Sequence, residues 1–376
     1  MKDDSKKIII NVNILWGAVN FRLDLMNHLI ASGYNVVVIG SPDEFSRVSL
    51  STLKAQKIRY HRIKLNRTNL NPIRDILYMI SLIKIFQLEK PSHVLNYTIK
   101  PNIFGSFAAI ITSRRYISTV NGLGSAIIKG TILSRALRLL YKIAFTKTRK
   151  ALFQNSDDLN YFVSNNIVKK SNTGIVPGSG VDTSKYNMPA IKQNQILKFN
   201  LIGRMLVDKG IFEYIGAIRI LKLKHQVKAK YYLSGFIDPD NPTGISMTKI
   251  EEWEKEGLIL YQPKTDNTME YLKHTDVIVL PSYREGLSKI LIEAGSCRKP
   301  IVTTDVPGCK ELISPKINGF LCEPMDSSSL ASAMEAIIKS SLSELIQMGE
   351  NSRILIKDKY SNEKVFAIYM NHIGVR

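Results

Sequence analysis

Twice along this chain, short apolar runs alternate with segments of helical period, and that alternation constrains the fold more than any other feature. Residues 7–15 form a nearly unbroken apolar run. Residues 20–31 then have helical periodicity (Phe21, Leu25, His28, Leu29), Gly33 closes that segment, and residues 34–39 are apolar again. Apolar strands separated by amphipathic helices point to a parallel sheet covered on both faces. The series continues with strands at 58–64, 93–96, 116–120 and 151–154, and helices at 45–55, 73–88, 103–111, 133–145 and 157–165. Residues 174–195 are turn-rich and polar and read as a linker. A second series follows, with strands at 197–202, 229–234, 258–261, 276–280, 301–304 and 319–322, and helices at 211–222, 268–273, 287–296, 327–339 and 342–357. The expected fold is α/β, with two Rossmann-like doubly wound domains, 1–181 and 182–361, facing across a cleft. In such sheets ligands sit at the carboxyl ends of the strands. A length of 376 residues suits two domains.

Charge is unevenly spread. Residues 1–190 hold 27 Lys and Arg against 10 Asp and Glu, and nearly all of the net charge of +20 lies there. Such asymmetry predicts that the first domain faces a polyanion, either a nucleic acid or an anionic membrane surface. Arg135, Arg138 and Lys142 interleave with apolar residues over 133–145, the pattern of a basic amphipathic helix. No nucleic-acid recognition signature or aromatic interleaving for base stacking accompanies the charge. No apolar run reaches the ~20 residues needed to span a bilayer. Cys297, Cys309 and Cys322 have no metal or redox spacing and read as small buried residues. The six histidines are scattered, and no metal ion is expected.

The chemistry concentrates in two β-to-α loops of the second domain. The strand at 277–280 runs into Pro281, then Ser282-Tyr283-Arg284-Glu285-Gly286-Leu287-Ser288 and a helix containing Glu293. First-turn amides of a helix lack internal partners and favour an anion. Two carboxylates beside such a site repel phosphate, so they read as acceptors for sugar hydroxyls. The ligand inferred is a diphosphate carrying sugar rings. Gly203, Arg204 and Lys209 lie in the loop after the domain's first strand, where a guanidinium fork, an ammonium and a glycine suit a diphosphate. Asp238-Pro239-Asp240 spells D-x-D but lies in a proline-rich loop and reads as turn chemistry.

This arrangement resembles the E-x7-E motif of retaining glycosyltransferases with the GT-B fold, in the large family four, glycosyl transferases group 1. The resemblance implies that Glu285 contacts the transferred sugar and Glu293 the ribose. It implies that Arg204 and Lys209 neutralise the leaving diphosphate, and that the amides of Gly286, Leu287 and Ser288 face phosphate. The loop 262–266, with Lys264, then meets the nucleobase of a UDP-linked donor, and no cofactor besides the nucleotide-sugar is required. In the first domain, the family's glycine-rich first turn is represented by Gly17 after Trp16, which either lines the cleft or packs. Many relatives carry a histidine where this chain has Asn121.

Asn121-Gly122-Leu123-Gly124-Ser125 is similar to the subgroup of N-acetylgalactosaminyltransferases acting on undecaprenyl-diphosphate-linked sugars. In that comparison Lys100, Asn102, Asn121 and Gly122 are acceptor contacts, and the last helix, near 362–376, packs back on the first domain. The implied reaction moves an N-acetylhexosamine to a polyprenyl-diphosphate-linked glycan. The implied location is cytoplasmic, peripheral on the inner face of the membrane. A sugar-nucleotide 2-epimerase of the same fold and a basic nucleic-acid-binding protein are the alternative readings.

Overall fold

The computed structural model describes residues 6–42, 46–65, 71–123, 127, 130–192, 196–224, 229–238, 241–263, 265 and 267–374. The chain divides into two compact units, Met1–Ser179 with Asn362–Arg376, and Gly180–Ser361.

The first unit is built on seven strands: β1 (Lys7–Ile14), β2 (Asn35–Ser41), β3 (Arg59–Arg62), β4 (His93–Tyr97), β5 (Arg115–Val120), β6 (Lys150–Phe153) and β7 (Thr173–Ile175). Their order is β3-β2-β1-β4-β5-β6-β7, with every pair parallel. The order reverses between β1 and β4, which makes that point the natural ligand crevice of the sheet. Among the described residues these helices follow the strands: α1 (Leu15–Ala31), α2 (Ser46–Ala55), α3 (Pro72–Glu89), α4 (Ser106–Ile111), α5 (Ile132–Ala144) and α6 (Ser156–Ser164).

Both faces of β1 are buried, which is why its sequence is apolar without alternation. Ile8, Ile10 and Val12 pack with Leu25, Met26 and Leu29 of α1 and with Val365, Tyr369 and Ile373 of the last helix, Asn362–Ile373. Ile9 packs on the other face with Tyr78, Leu82 and Phe86 of α3. Leu137, Tyr141 and Ala144 of α5 close a third cluster over Phe153 and Phe162.

The second unit has six parallel strands: β8 (Leu197–Arg204), β9 (Ala229–Phe236), β10 (Leu260–Pro263), β11 (Val277–Leu280), β12 (Ile301–Thr304) and β13 (Gly319–Cys322). The order is β10-β9-β8-β11-β12-β13, with its own reversal at β8 and β11. Its helices are α7 (Ile211–Lys224), α8 (Met247–Lys255), α9 (Thr268–Lys273), α10 (Lys289–Ser296), α11 (Ser327–Lys339) and α12 (Leu342–Lys359). All three cysteines are buried, and burial pushes the thiols of Cys297 and Cys322 up to about 12, so they act as apolar filling.

Four elements differ from the sequence expectation. Residues 16–18, read as a turn, are the first turn of α1, because extended Ile14 passes straight into helix. Gly17 is therefore helical, and Trp16 packs edge-on against Phe21, with ring centroids 5.6 Å apart. Residues 173–175, placed at the linker, pair in register with β6 as a seventh strand. Residues 101–105 form a π-helical turn ahead of α4. Helix α8 was not anticipated, since only Ile250 and Trp253 of its nine residues are buried, although Ser246 caps it by accepting from the Lys249 amide. Among the described residues no helix is long and apolar enough to cross a membrane.

Candidate active site

Glycine chemistry sets the geometry at the carboxyl edge of the second sheet. The 3-10 turn Val207–Lys209 ends at Gly210, which has φ of 72°. A Cβ there would lie 2.0 Å from the Pro281 carbonyl oxygen, so only glycine lets the loop after β8 reach the end of β11. Gly308, at φ of 83°, plays the same part against the Glu285 backbone, where a Cβ would approach the carbonyl oxygen to 2.4 Å. The Glu285 amide donates to Pro307 at 3.0 Å and the Tyr283 amide to Asp208 at 2.9 Å. Three loops are thereby fastened together.

That fastening brings Lys209 and Glu285 together. Lys209 pairs with the Glu285 carboxylate, which also accepts from the Ser282 hydroxyl at 2.7 Å. Arg204, the last residue of β8, is partly exposed, with Nη1 3.4 Å from Asp238 Oδ2. Asp238, read from sequence as turn chemistry, thus also holds a guanidinium; residues 239 and 240 lie outside the described residues. A Cβ on Gly203 would meet nothing within 4 Å, so open space lies over the strand end beside Arg204. Arg204 adjoins that space, and Arg204 and Lys209 each face a carboxylate that an arriving anion can replace.

Glu293 is 2% exposed on α10. Thr268 donates to it at 2.9 Å, Lys289 lies 3.4 Å away, and Tyr186 donates to Thr268 at 3.0 Å. Burial, with the Glu293 charge beside it, raises the Tyr186 phenol far above its ordinary range, so it stays a donor. One expectation fails here. Helix α10 begins at Lys289, with Ser288 as N-cap, two residues later than predicted. The Ser288 amide donates to the Gly308 carbonyl at 2.9 Å and so does not face a ligand. Leu287 is buried in the core beneath the turn. Lys264 lies outside the described residues. The neighbouring loop is pinned by the Tyr271 hydroxyl, which donates to Pro263 at 2.6 Å and accepts from the Thr265 amide at 2.9 Å. Among the described residues no group of three His, Cys, Asp or Glu is arranged to hold a metal.

The carboxyl edge of the first sheet is held largely by neutral polar groups. Asn11 donates to Asn96 at 2.8 Å, Asn102 donates to the Thr119 carbonyl at 2.9 Å, and Ser106 joins Ser118 at 3.1 Å, all buried. Thr98, after β4, has φ of 72°, unusual for a β-branched residue. Two expected acceptor contacts prove to be interior. Lys100 is 8% exposed and pairs with buried Asp75 at 2.6 Å, and Asn102 is fully buried. Their side chains stabilise the turn 98–106, because a buried ammonium and a buried amide must be matched inside the unit. Asn121 and Gly122, at φ of 118°, follow β5, with Asn121 half-buried.

Residues 190–354 match the family described as glycosyl transferases group 1, and residues 17–155 match glycosyl transferase 4-like. The chain is 26% identical over 343 residues to the Campylobacter jejuni N,N'-diacetylbacillosaminyl-diphospho-undecaprenol alpha-1,3-N-acetylgalactosaminyltransferase, covering 85% of this chain and 86% of that one. This chain is a group 1 glycosyltransferase with the GT-B fold. It is also 24% identical over 308 residues to an Escherichia coli UDP-Gal:alpha-D-GlcNAc-diphosphoundecaprenol alpha-1,3-galactosyltransferase, covering 76% of each. Anabaena HepE, solved with UDP, superposes with a TM-score of 0.77 at 15% identity over 97% of this chain and 98% of that one.

Sequence reasoning missed several residues that shape the glycosyltransferase's site. Thr268 and Tyr186 come to Glu293 from positions 25 and 107 residues earlier in the chain, with no local pattern to signal them. Arg22 did carry a signal. It falls at a buried position of α1, in step with Ala18, Leu25, Met26 and Leu29.

Proposed function

We propose that this glycosyltransferase moves an N-acetylhexosamine from a UDP-linked donor to a hydroxyl of a polyprenyl-diphosphate-linked glycan, with retention, in bacterial glycan assembly. The constellation of Arg204, Lys209, Glu285 and Glu293 at the carboxyl edge of the second sheet carries this reading. In the reaction the bond from the anomeric carbon to the diphosphate oxygen breaks. The acceptor oxygen bonds to the same face of that carbon, and its proton passes to the departing phosphate. Arg204 and Lys209 border the space where the leaving group gains charge, and stabilising that charge is the main catalytic term. When Lys209 turns to the diphosphate, Glu285 is released to accept sugar hydroxyls. Buried Glu293, already oriented by Thr268, accepts from the ribose. The scheme routes no step through a metal ion, since the two side-chain cations supply the positive charge. UDP in HepE and the undecaprenol-diphosphate substrates in the names of two relatives support the choice of donor and acceptor.

The first unit is the acceptor- and membrane-facing part of this proposal, and the second unit binds the nucleotide-sugar. On α5, Ile132 is 86% exposed, and Leu133, Leu139 and Ile143 are also exposed, interleaved with exposed Arg135 and Lys142. Apolar side chains among cations suit the surface of an anionic bilayer, which supports the proposed peripheral location on the inner face of the cytoplasmic membrane. Arg138 contributes less directly, because its guanidinium turns toward Tyr161 and Asn165, at 3.5 Å from each.

A panel of UDP-, GDP- and dTDP-sugars with a short polyprenyl-diphosphate-linked acceptor tests the proposal. Released UDP with a matching acceptor mass gain, both lost in Glu285→Ala, is the expected result. Donor conversion without acceptor mass gain would instead indicate an epimerase.

A further inference from the structure

A buried arginine in the first unit has no carboxylate partner among the described residues. Arg22, on the second turn of α1, is 2% exposed, with its guanidinium carbon 4.2 Å above the Tyr97 ring. One of its nitrogens, Nη1, is buried without a hydrogen-bond partner. Burying a cation is costly unless its donors are used, so such a residue is retained for what it holds. What it holds is Asn121. In the orientation that satisfies both neighbours, the Asn121 amide oxygen accepts from Arg22 Nη2 at 3.1 Å and the amide nitrogen donates to the Thr119 carbonyl at 3.1 Å.

That arrangement has a chemical consequence. An asparagine amide ordinarily presents either an acceptor or a donor, depending on which way it is turned. Here the guanidinium fixes the oxygen inward, and Thr119 takes one of the two N–H groups. The second N–H remains at the carboxyl end of β5, and the cation drawing on the amide oxygen makes it a stronger donor. The surroundings are those of a functional edge. Thr98, in the left-handed region, and the π-helical turn Pro101–Gly105 lie beside it, and strain and π-turns concentrate at such sites. The buried Oγ1 of Thr98 and Oδ1 of Asn102 also lack partners.

We propose that Arg22 is a positioning residue of the transfer reaction. It locks Asn121 as a donor-only contact for an oxygen of a sugar bound at the carboxyl edge of the first sheet. This inference rests on the glycosyltransfer reading above.

Two arms test it on the full-length protein. In the first, asparagine is labelled with nitrogen-15 and the Asn121 side-chain amide is assigned by its loss in Asn121→Ser. Its proton pair is expected to be slow to exchange in the wild type and to lose that protection in Arg22→Met, with Arg22→Lys intermediate. An Asn121 signal unchanged by Arg22→Met overturns the proposal. In the second arm, Asn121→Asp supplies the missing partner for the buried cation while abolishing the donor. The expected result is a Tm at or above that of the wild type, kcat lowered about 100-fold, as for a misplaced contact, and little change in KM for the nucleotide donor. An Asn121→Asp enzyme as fast as the wild type shows that the donor is not used and sinks the proposal. Absence of transfer in the wild type defeats the glycosyltransfer reading, and with it the assigned role of Arg22. The nuclear magnetic resonance arm then still decides whether Arg22 holds Asn121.

Discussion

The two units build their strand ends from opposite materials. In the second, ions face ions: Arg204 with Asp238, Lys209 with Glu285, Lys289 with Glu293. In the first, apart from the buried Lys100–Asp75 pair and the Arg22 cation, neutral amides and hydroxyls face one another, with Asn11 on Asn96, Ser106 on Ser118 and Asn102 on the Thr119 carbonyl. Ion pairs near the surface can exchange partners with an arriving anion at modest cost, because solvent screens what is broken. A buried neutral network cannot do so and instead fixes shape. The contrast teaches a division of labour in which one edge suits a diphosphate and the other suits uncharged sugar oxygens.

The sharpest way to break this comparison is to remove a cation from the charged edge. Arg204→Ala is expected to lower kcat by about 100- to 1000-fold, the usual cost of losing a donor to developing charge. Transfer rates at saturating donor check this, and near-wild-type turnover would remove diphosphate stabilisation from the account. On the neutral edge, Asn96→Leu strands the Asn11 amide inside the sheet. The expected cost is about 1–3 kcal/mol of folding stability, read from urea unfolding. Stability equal to the wild type would show that the network is not what shapes that edge.

Both of those outcomes bear on how legible each edge was. The charged edge stood out in sequence because its residues cluster in two loops, with glycines marking the places where chains cross. Gly210 follows Lys209 directly, and the structure shows why that position is glycine: a side chain at 210 collides with the Pro281 carbonyl. The neutral edge was illegible because Asn96, Asn102 and Ser118 look like surface polar residues until the sheet encloses them. Arg22 was passed over because the helical period was counted through Phe21, Leu25, His28 and Leu29, which placed Phe21 and His28 on the inner face. The actual inner face is offset, running through Ala18, Arg22, Leu25 and Met26. The strands of both sheets were easier, since a strand buried on two faces is apolar throughout.

A smaller effect is expected where the first unit meets solvent. Replacing Arg135 and Lys142 by glutamine should weaken binding to vesicles containing anionic lipid by about 1 kcal/mol per residue. Turnover of a soluble acceptor should not change. Binding insensitive to both charge and salt would move the membrane contact elsewhere.

The effect confined to acid pH concerns His93 at the start of β4. Burial, with Arg149 and Arg115 nearby, lowers its imidazole to about 4. The unfolded chain therefore binds the proton more readily, and stability falls as pH drops from about 6.5 toward about 4. His93→Gln should flatten that part of the stability profile and leave the neutral region unchanged. A persistent slope would assign the acid sensitivity to other groups.

Calorimetric binding of UDP tests the division of labour most directly. The account predicts that the wild type binds UDP, that Arg204→Ala and Glu293→Gln weaken it at least tenfold, and that Arg22→Lys and Asn121→Asp leave it unchanged while still slowing transfer. Nucleotide binding lost equally from both sets of variants, or no UDP binding by the wild type, would contradict it.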